Sequence, residues 1–435
     1  MSCSRYSTTD LRREFALDVV RQLRTAGFQS LWAGGCVRDQ LLGKDPKDYD
    51  VATNALPKDV IRVFGEQRTV PVGAAFGVVM IPGPTRRHGQ VEVATFRSDG
   101  EYLDGRHPET VQFCSSAEDA KRRDFTINGM FFDPIADTVL DYVGGQEDLQ
   151  RRIIRAIGDP LARFREDHLR MLRAVRFAAT FSFTLEAQTL TAIQQLSSRI
   201  TSVSVERIMQ ELRRMLAHPS RAAALELLQR SMLLPEVLPE LITWLKDPLR
   251  FAEACRTFEN LESVRFEPAL AMLLRPLHDV TKSESRQRLM AIHAICRRLK
   301  MANEEIDGIS WILESFPTLQ HIATRPLHVL KPLLADSRAP LLLAAAAAAD
   351  AADGKPANDA SFAWHYLSRT PAEQINPPPF INGNDLRQLG VPMGPEIRRI
   401  LTAVRIAQLD EHLPGRAAAL ELARQLISSD RTSPR

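Results

Sequence analysis

Cysteine is scarce and scattered in this chain. The five residues Cys3, Cys36, Cys114, Cys255 and Cys296 are odd in number and none sits in C-x-x-C spacing. That pattern supports neither a disulfide framework nor a zinc site, and it suits a reducing cytoplasm. Long apolar runs are missing too: nothing approaches the roughly 20 residues of a spanning helix, and the opening MSCSRYSTTDLRREF has no apolar signal core. An excess of one charge is also lacking, with 56 Lys and Arg against 53 Asp and Glu and a net charge of +3. A nucleic-acid partner is permitted by this balance, but a localised basic face would have to make the contact. No long basic extension closes the chain, which ends SSDRTSPR.

What is present is ordinary in bulk and unusual in detail. A length of 435 residues exceeds what a single core holds, so two to four domains are expected. Hydrophobic residues at 44% and charged residues at 25% are those of a globular protein. Asp10 to Ala26 reads as an amphipathic helix stopped by Gly27, and Pro57 to Phe64 as a short helix with proline at its first position. Val70 to Val72, Gly77 to Ile81 and Gln90 to Phe96 read as strands between Gly and Pro turns.

The informative stretch is LWAGGCVRDQLLGKDPKDYDV, Leu31 to Val51. A short apolar strand breaks at Gly34-Gly35, a helix runs through Cys36 to Leu42, and a second strand carries Asp48 and Asp50. Residues i and i+2 of a strand share a face, so the two carboxylates can hold one or two hard cations. Magnesium is expected, since it takes oxygen ligands, keeps water and works with substrate phosphates. The glycines let backbone come close to a triphosphate, and the helix that follows directs its free N–H groups at it. A phosphate cradle ahead of a metal-binding Asp pair is the apparatus of nucleotidyl transfer; an isolated Asp-X-Asp, by contrast, is common by chance.

Three later segments carry further candidates. Glu92 alternates with Val91 and Val93, so it is either a solvated residue of an edge strand or a carboxylate that needs a partner. In DAKRRDFTINGMFFDP, the Arg122, Arg123 and Asp124 cluster reads by default as a structural ion pair, with Phe125, Ile127, Met130 and Phe131 packing beneath. In FREDHLRMLRAVRFAATFSF, Phe164 to Phe183, the residues Leu169, Leu172, Val175 and Ala179 form an apolar helical stripe. Glu166, Asp167, Arg170, Arg173 and Arg176 take the rest of the circumference. Asp167 and Arg170, three apart, are expected to be neighbours on one face.

GGCVRDQLLG followed by DPKDYDVAT resembles the nucleotidyltransferase head of bacterial class II tRNA CCA-adding enzymes and poly(A) polymerases, in the polymerase beta superfamily. The resemblance is strong over about 30–185, loose over 200–375 and moderate again from 380. It implies an α+β multidomain protein: a small mixed-sheet nucleotidyltransferase palm at 10–150, then an all-helical neck at 151–217, body at 218–375 and RNA-binding tail at 376–435. It also implies template-independent addition of CCA to tRNA from CTP and ATP, with Asp48, Asp50 and Glu92 positioning Mg²⁺. Gly34, Gly35 and Arg38 would hold phosphates, and Arg123, Asp124 and Asn128 the ribose and phosphates. The polar loop Ser98 to Pro108 is present in relatives that add the terminal adenosine, which argues against an enzyme adding only cytidines.

The Glu-Asp-X-X-Arg segment, in that resemblance, reads the incoming base through Asp167 and Arg170, with Arg173 and Arg176 as further nucleotide-binding candidates. Cytosine and adenine each present an amino donor beside a ring acceptor, which a carboxylate beside a guanidinium complements. Uracil and guanine present the reverse, and losing both contacts would cost several kcal/mol. A poly(A) polymerase, an enzyme adding only the terminal A, and an inactive RNA-binding module remain alternatives. From about residue 185 onward the chain reads as helical, with Arg207, Arg213, Arg214, Arg221 and Arg230 as a candidate basic surface and Pro377 to Pro379 as a linker into a last helical unit.

Overall fold

In the first third of the chain, alternating and aromatic-rich segments form one sheet and amphipathic segments cover it. The computed structural model describes residues 10–73, 77–99, 111–280 and 285–432. Helix α1 (Leu11–Thr25) starts at Asp10, whose carboxylate accepts the Arg12 backbone N–H at 3.0 Å, and buries Phe15, Val19, Val20 and Leu23. Strand β1 (Ser30–Ala33), helix α2 (Gly35–Leu41), strand β2 (Tyr49–Thr53) and helix α3 (Pro57–Phe64) follow. Then come β3 (Val70–Gly73), β4 (Val78–Pro82) and β5 (Gln90–Thr95), the hairpin β6 (Arg97–Asp99) and β7 (Val111–Phe113), helix α4 (Ser116–Lys121), and β8 (Phe131–Asp133) with β9 (Thr138–Leu140).

Seven of these strands make a single mixed sheet in the order β3-β4-β5-β2-β1-β8-β9. Strands β2 and β5 run parallel, with Asp50 opposite Glu92, and the remaining neighbours are antiparallel. Trp32 is fully buried between Tyr49 and Phe132, at ring separations of 4.8 and 5.7 Å. On the other face Leu31, Ala33, Ala52, Phe96 and Phe131 form an apolar cluster. Phe125, Ile127, Met130 and Phe131 are completely buried, as their spacing predicts. Residues 100–110, most of the loop Ser98 to Pro108, lie outside the described residues; its flanks pair as the β6–β7 hairpin, with Arg97 opposite Phe113.

Helices α5 (Gly145–Arg151), α6 (Pro160–Glu166), α7 (Leu169–Phe181), α8 (Ala187–Leu196) and α9 (Val205–Leu216) lead out of the sheet, with β10 (Ile153–Ile154) and β11 (Thr184–Leu185) pairing in parallel among them. Phe164 to Phe183 is thus not one helix. At Asp167 the backbone is extended (φ −146°, ψ 103°), and its carboxylate accepts the Leu169 N–H at 3.0 Å. A short acidic side chain that satisfies a free N–H of the next helix offers the backbone an alternative to continuing the first one.

The chain forms two compact units, one running to Met215 with Ala223–Pro239 added, the other comprising Leu216–Ala222 and the chain from Glu240. The second unit is helical. Its Ala339–Ala352 helix buries Leu342, Leu343 and most of its alanines against Pro248–Asn260, where only small side chains allow so close an approach. Arg221 does not join a basic surface: it is buried, and its guanidinium donates to the carbonyls of Leu216, Leu261 and Ser263. The last helices, Gly383–Gln388, Pro395–Leu409 and Arg416–Thr432, close around Ile381, Leu386, Ile400 and Val404. Asn382 caps the first of them, and Arg416 pairs with Asp385 at 2.6 Å.

Candidate active site

Gly34 takes φ +70° at the end of β1, a conformation other residues rarely adopt, and a Cβ there would sit 3.1 Å from a guanidinium nitrogen of Arg123. The turn therefore brings backbone against a cation and starts α2. Arg38, one turn into α2, is buried and donates to Asn128 Oδ1 at 2.6 Å and to Asp39 at 2.9 Å. Its guanidinium lies 4.5 Å from the Phe181 ring centroid. Asn128 donates to Asp124 Oδ1 at 3.1 Å, and the other oxygen of Asp124 accepts two hydrogen bonds from Arg173 at 2.9 and 2.6 Å. One continuous polar chain, Arg38–Asn128–Asp124–Arg173, thereby ties α2 to α7. Burial alone would push the Asp124 carboxyl up; Arg173, the Asn128 amide and Arg170 outweigh it and bring the group down to about 2.

Neighbouring arginines are held by a second buried carboxylate. Asp119 accepts from Arg122 at 2.8 Å and from Arg123 at 3.0 Å, and Arg123 stacks 4.9 Å from Phe131. These contacts and the Asp124 network enclose a cleft of about 520 Å³ that lies within the first unit. It is lined by Gly34, Gly35, Arg38 and Asp50 on one part and by Arg123, Asp124 and Asn128 on another. Asp167, Arg170 and Arg173 complete it.

Ten of the residues singled out in the sequence thus meet around one cavity, but their pairing differs from expectation. Arg170 binds Glu166 at 2.6 Å, and Asp167 binds Arg207 of α9 at 2.8 Å. The break after Glu166 removes the i to i+3 geometry that would have joined Asp167 to Arg170. Arg176 is absent from the cleft lining; it pairs with Glu211 and stacks 4.1 Å from Phe177. Arg122, Leu169, Phe177 and Arg207 line the cleft without having been singled out as nucleotide ligands. Phe177, four residues after Arg173, could have been found from helical spacing. Arg207 could not, because only the packing of α9 against the α6–α7 break brings it there.

The carboxylates lie on an open strand face. Asp50 is exposed, Tyr49 and Val51 beside it are buried, and Glu92 occupies the matching position of β5. Asp50 lines the cleft, Asp48 lines a separate groove, and Glu92 is absent from the cleft lining. Among the described residues no three His, Cys, Asp or Glu side chains converge into a preformed metal cage. Although part of Asp50 reaches solvent in the cleft, protein crowds round its carboxyl, and this loss of hydration first, then the charges of Glu92 and Asp48, push it up to about 6 against the pull of Arg123. Such unbalanced negative charge on an open face fits a hard cation that brings its own waters and phosphate oxygens.

Two family models match the chain: the poly A polymerase head domain over residues 31–155, and the probable RNA and SrmB-binding site of polymerase A over residues 182–245. The chain is 44% identical over 214 residues to the CCA-adding enzyme of Geobacillus thermodenitrificans, covering 49% of this chain and 52% of that one. It is 44% identical over 224 residues to that of Bacillus subtilis, covering 51% and 55%. The match thus spans about half the length of the curated relatives. A crystal structure of the Bacillus stearothermophilus CCA-adding enzyme in complex with CTP superimposes with a TM-score of 0.74 at 30% identity, over 98% of this chain and 99% of that one. A Thermotoga maritima CCA-adding enzyme complexed with tRNA shares the fold at a TM-score of 0.66 and 20% identity, over 96% and 95%.

Proposed function

We propose, because the chain belongs to the family of CCA-adding enzymes built on a poly A polymerase head domain, that it adds CCA to the 3′ end of tRNA from CTP and ATP and releases pyrophosphate. The observation that carries this reading is the single cleft in which Asp50, the Gly34–Gly35 turn and the pair Asp167 and Arg170 share one cavity. Nucleotidyl transfer in this family implies a metal, and magnesium is the ion proposed, held by Asp48, Asp50 and Glu92. When bound, it supplies charge neutralisation at the triphosphate and acidifies the attacking 3′-hydroxyl.

The chain's own residues do the rest. Gly34 and Gly35 admit the phosphates close to backbone, Arg123 and Arg38 offer positive charge, and the Asp124–Asn128 pair orients the sugar. Asp167 already accepts from Leu169 and Arg207, which leaves lone pairs for a base amino group. Arg170 donates to Glu166 and to the carbonyls of Arg163 and Arg122, which leaves further N–H groups for a ring nitrogen. These fixed partners hold both side chains in place before the base arrives, so discrimination needs no template. Glu92 and Arg176 belong to the same proposal, the first as a metal ligand and the second as a support for Phe177. The division into head 10–150, neck 151–217, body 218–375 and tail 376–435, with the tail binding RNA in the cytoplasm, is part of it as well.

Incubation with labelled CTP or ATP and three RNAs tests the reading: tRNA lacking its end, tRNA ending in CC, and an unrelated RNA. CTP then ATP incorporation into the first, and ATP alone into the second, is the expected result. ATP runs on the unrelated RNA would indicate a poly(A) polymerase, ATP addition only to the CC end an A-adding enzyme, and no incorporation an inactive RNA-binding module.

A further inference from the structure

Asp50 faces the nucleotide cleft, but Asp48, expected on the same strand, lies in the bend just before β2 and lines a different depression of about 630 Å³. This groove opens at the end of the sheet where the parallel strands β2 and β5 begin, with Tyr49 opposite Val91. Its charged lining consists of Arg12, Lys47, Arg86 and Arg87 against Asp10 and Asp48. Asp10 caps α1 and pairs with Arg12 at 3.6 Å, so the positive charge left for a ligand is chiefly that of Lys47, Arg86 and Arg87. Arg86 and Arg87 are exposed and stand on the turn Arg86–His88 between β4 and β5. Among the described residues neither forms an ion pair.

The turn that presents them is braced. Gly83 N–H donates to the Gly89 carbonyl at 2.8 Å, and Thr85 Oγ1 lies 2.8 Å from His88 Nδ1. His88 packs edge-on against Phe15 of α1 at 6.3 Å. A Cβ on Gly83 would fall 2.5 Å from His88 Cβ, so the connection closes only with glycine there. On the facing side Arg12 donates to the Lys47 carbonyl at 3.0 Å, joining the start of α1 to the approach to β2. The cations are therefore mounted on fixed backbone, which lowers the entropy lost when a ligand is gripped.

We propose that this groove is the track of the RNA strand being extended: Arg12, Lys47, Arg86 and Arg87 hold its terminal phosphodiesters and lead its 3′-hydroxyl to Asp48, while the nucleotide occupies the cleft on Asp50. The inference rests on the nucleotidyl-transfer reading above and assigns residues which that reading leaves idle. A polyanion fits the groove because cations from three separate segments, Arg12, Lys47 and the Arg86–Arg87 turn, line it together with Asp48, a carboxylate of the proposed reaction centre. A lone phosphate or pyrophosphate would need convergent donors around one point, whereas Arg86 and Arg87 are neighbours on an open turn. Single-stranded RNA is gripped largely through such contacts, and its affinity falls with salt in proportion to the phosphates neutralised.

The test compares the full unaltered chain with R86E/R87E, with the charge-retaining R86K/R87K, and with R62E, which reverses an exposed arginine on α3. Labelled CTP incorporation gives KM for tRNA lacking its end and KM for CTP; fluorescence anisotropy at several KCl concentrations gives the salt slope of RNA binding without catalysis. For R86E/R87E, KM for tRNA should rise roughly tenfold or more, KM for CTP should stay put, and the salt slope should shrink by about one to two. R86K/R87K should recover most of the loss, since a phosphate accepts either cation, and R62E should behave as the unaltered chain. An R86E/R87E variant with unchanged tRNA KM and salt slope, or one whose defect lies in KM for CTP, overturns the track. Failure of the unaltered chain to incorporate any nucleotide overturns the activity itself, and the track with it.

Discussion

At the scale of single residues, two carboxylates sit in opposite electrostatic situations. Asp50 is pushed up to about 6 by lost hydration and then by the like charges of Glu92 and Asp48, whereas Asp124 is neutralised by Arg173 and brought down to about 2. The first is a group waiting for a cation and the second a structural clamp, and substitutions should separate them. Asp50→Asn should lower CTP incorporation by a factor of about 10³ or more while circular dichroism and melting temperature stay close to the unaltered chain; activity within tenfold would remove Asp50 from the metal site. Asp124→Asn should instead destabilise the fold by about 3 kcal/mol or more, read by urea unfolding, because Arg173 is left without its partner. The clamp also makes stability depend on acid. Its contribution, on the order of 2 kcal/mol, is complete above the ordinary carboxyl value of 3.8 and is lost as pH falls towards about 2. Urea midpoints should accordingly fall less with acid in Asp124→Asn than in the unaltered chain.

At the scale of elements, the break between α6 and α7 is the decisive feature. The apolar stripe of Leu169, Leu172, Val175 and Ala179 lies wholly within α7, and nothing in its spacing tells that the charged residues just ahead of it, Glu166 and Asp167, are parted from it by a stop. The stop arises because Asp167 accepts the Leu169 N–H and is then drawn to Arg207 on α9. Its consequence is that Asp167 and Arg170 enter the cleft each with a separate partner, Arg207 and Glu166, rather than neutralising one another. Replacing both Asp167 and Arg170 by Ala should flatten discrimination among the four triphosphates, measured as the ratio of kcat/KM for CTP to that for UTP. A preserved ratio would show that base selection lies elsewhere. Arg207→Ala should produce a partial version of the same defect, since it releases Asp167 from a fixed position while leaving the carboxylate in place.

At the scale of the whole molecule, the nucleotide cleft and the basic groove both belong to the first compact unit, and the second unit has its own helical cores. Two cores of this kind need not melt together. Scanning calorimetry should show more than one transition, and CTP with Mg²⁺ should raise only the transition of the unit that contains Asp50, by an amount that grows with the logarithm of ligand concentration. A single transition, raised as a whole by CTP, would mean that the units unfold cooperatively.

Local pattern was sufficient for much of this. The strand, glycine turn and helix of Leu31 to Val51 are short-range features, and alternation alone put Glu92 on the face of β5 opposite Val91 and Val93, whereas its place across from Asp50 comes from the parallel pairing of β2 with β5. Amphipathic spacing likewise predicted α1, and the proline start predicted α3, to within a few residues, because the period of burial is written directly in the order of side chains. Tertiary structure alone decided which charges meet. Arg207 comes to Asp167 from 40 residues away, Arg221 is drawn inside by three carbonyls, and Asp48 and Asp50 face different cavities because β2 starts only at Tyr49 and leaves Asp48 in the bend before it. An ion pair depends on distance in space, and the chain's linear order constrains that distance only where backbone geometry is regular.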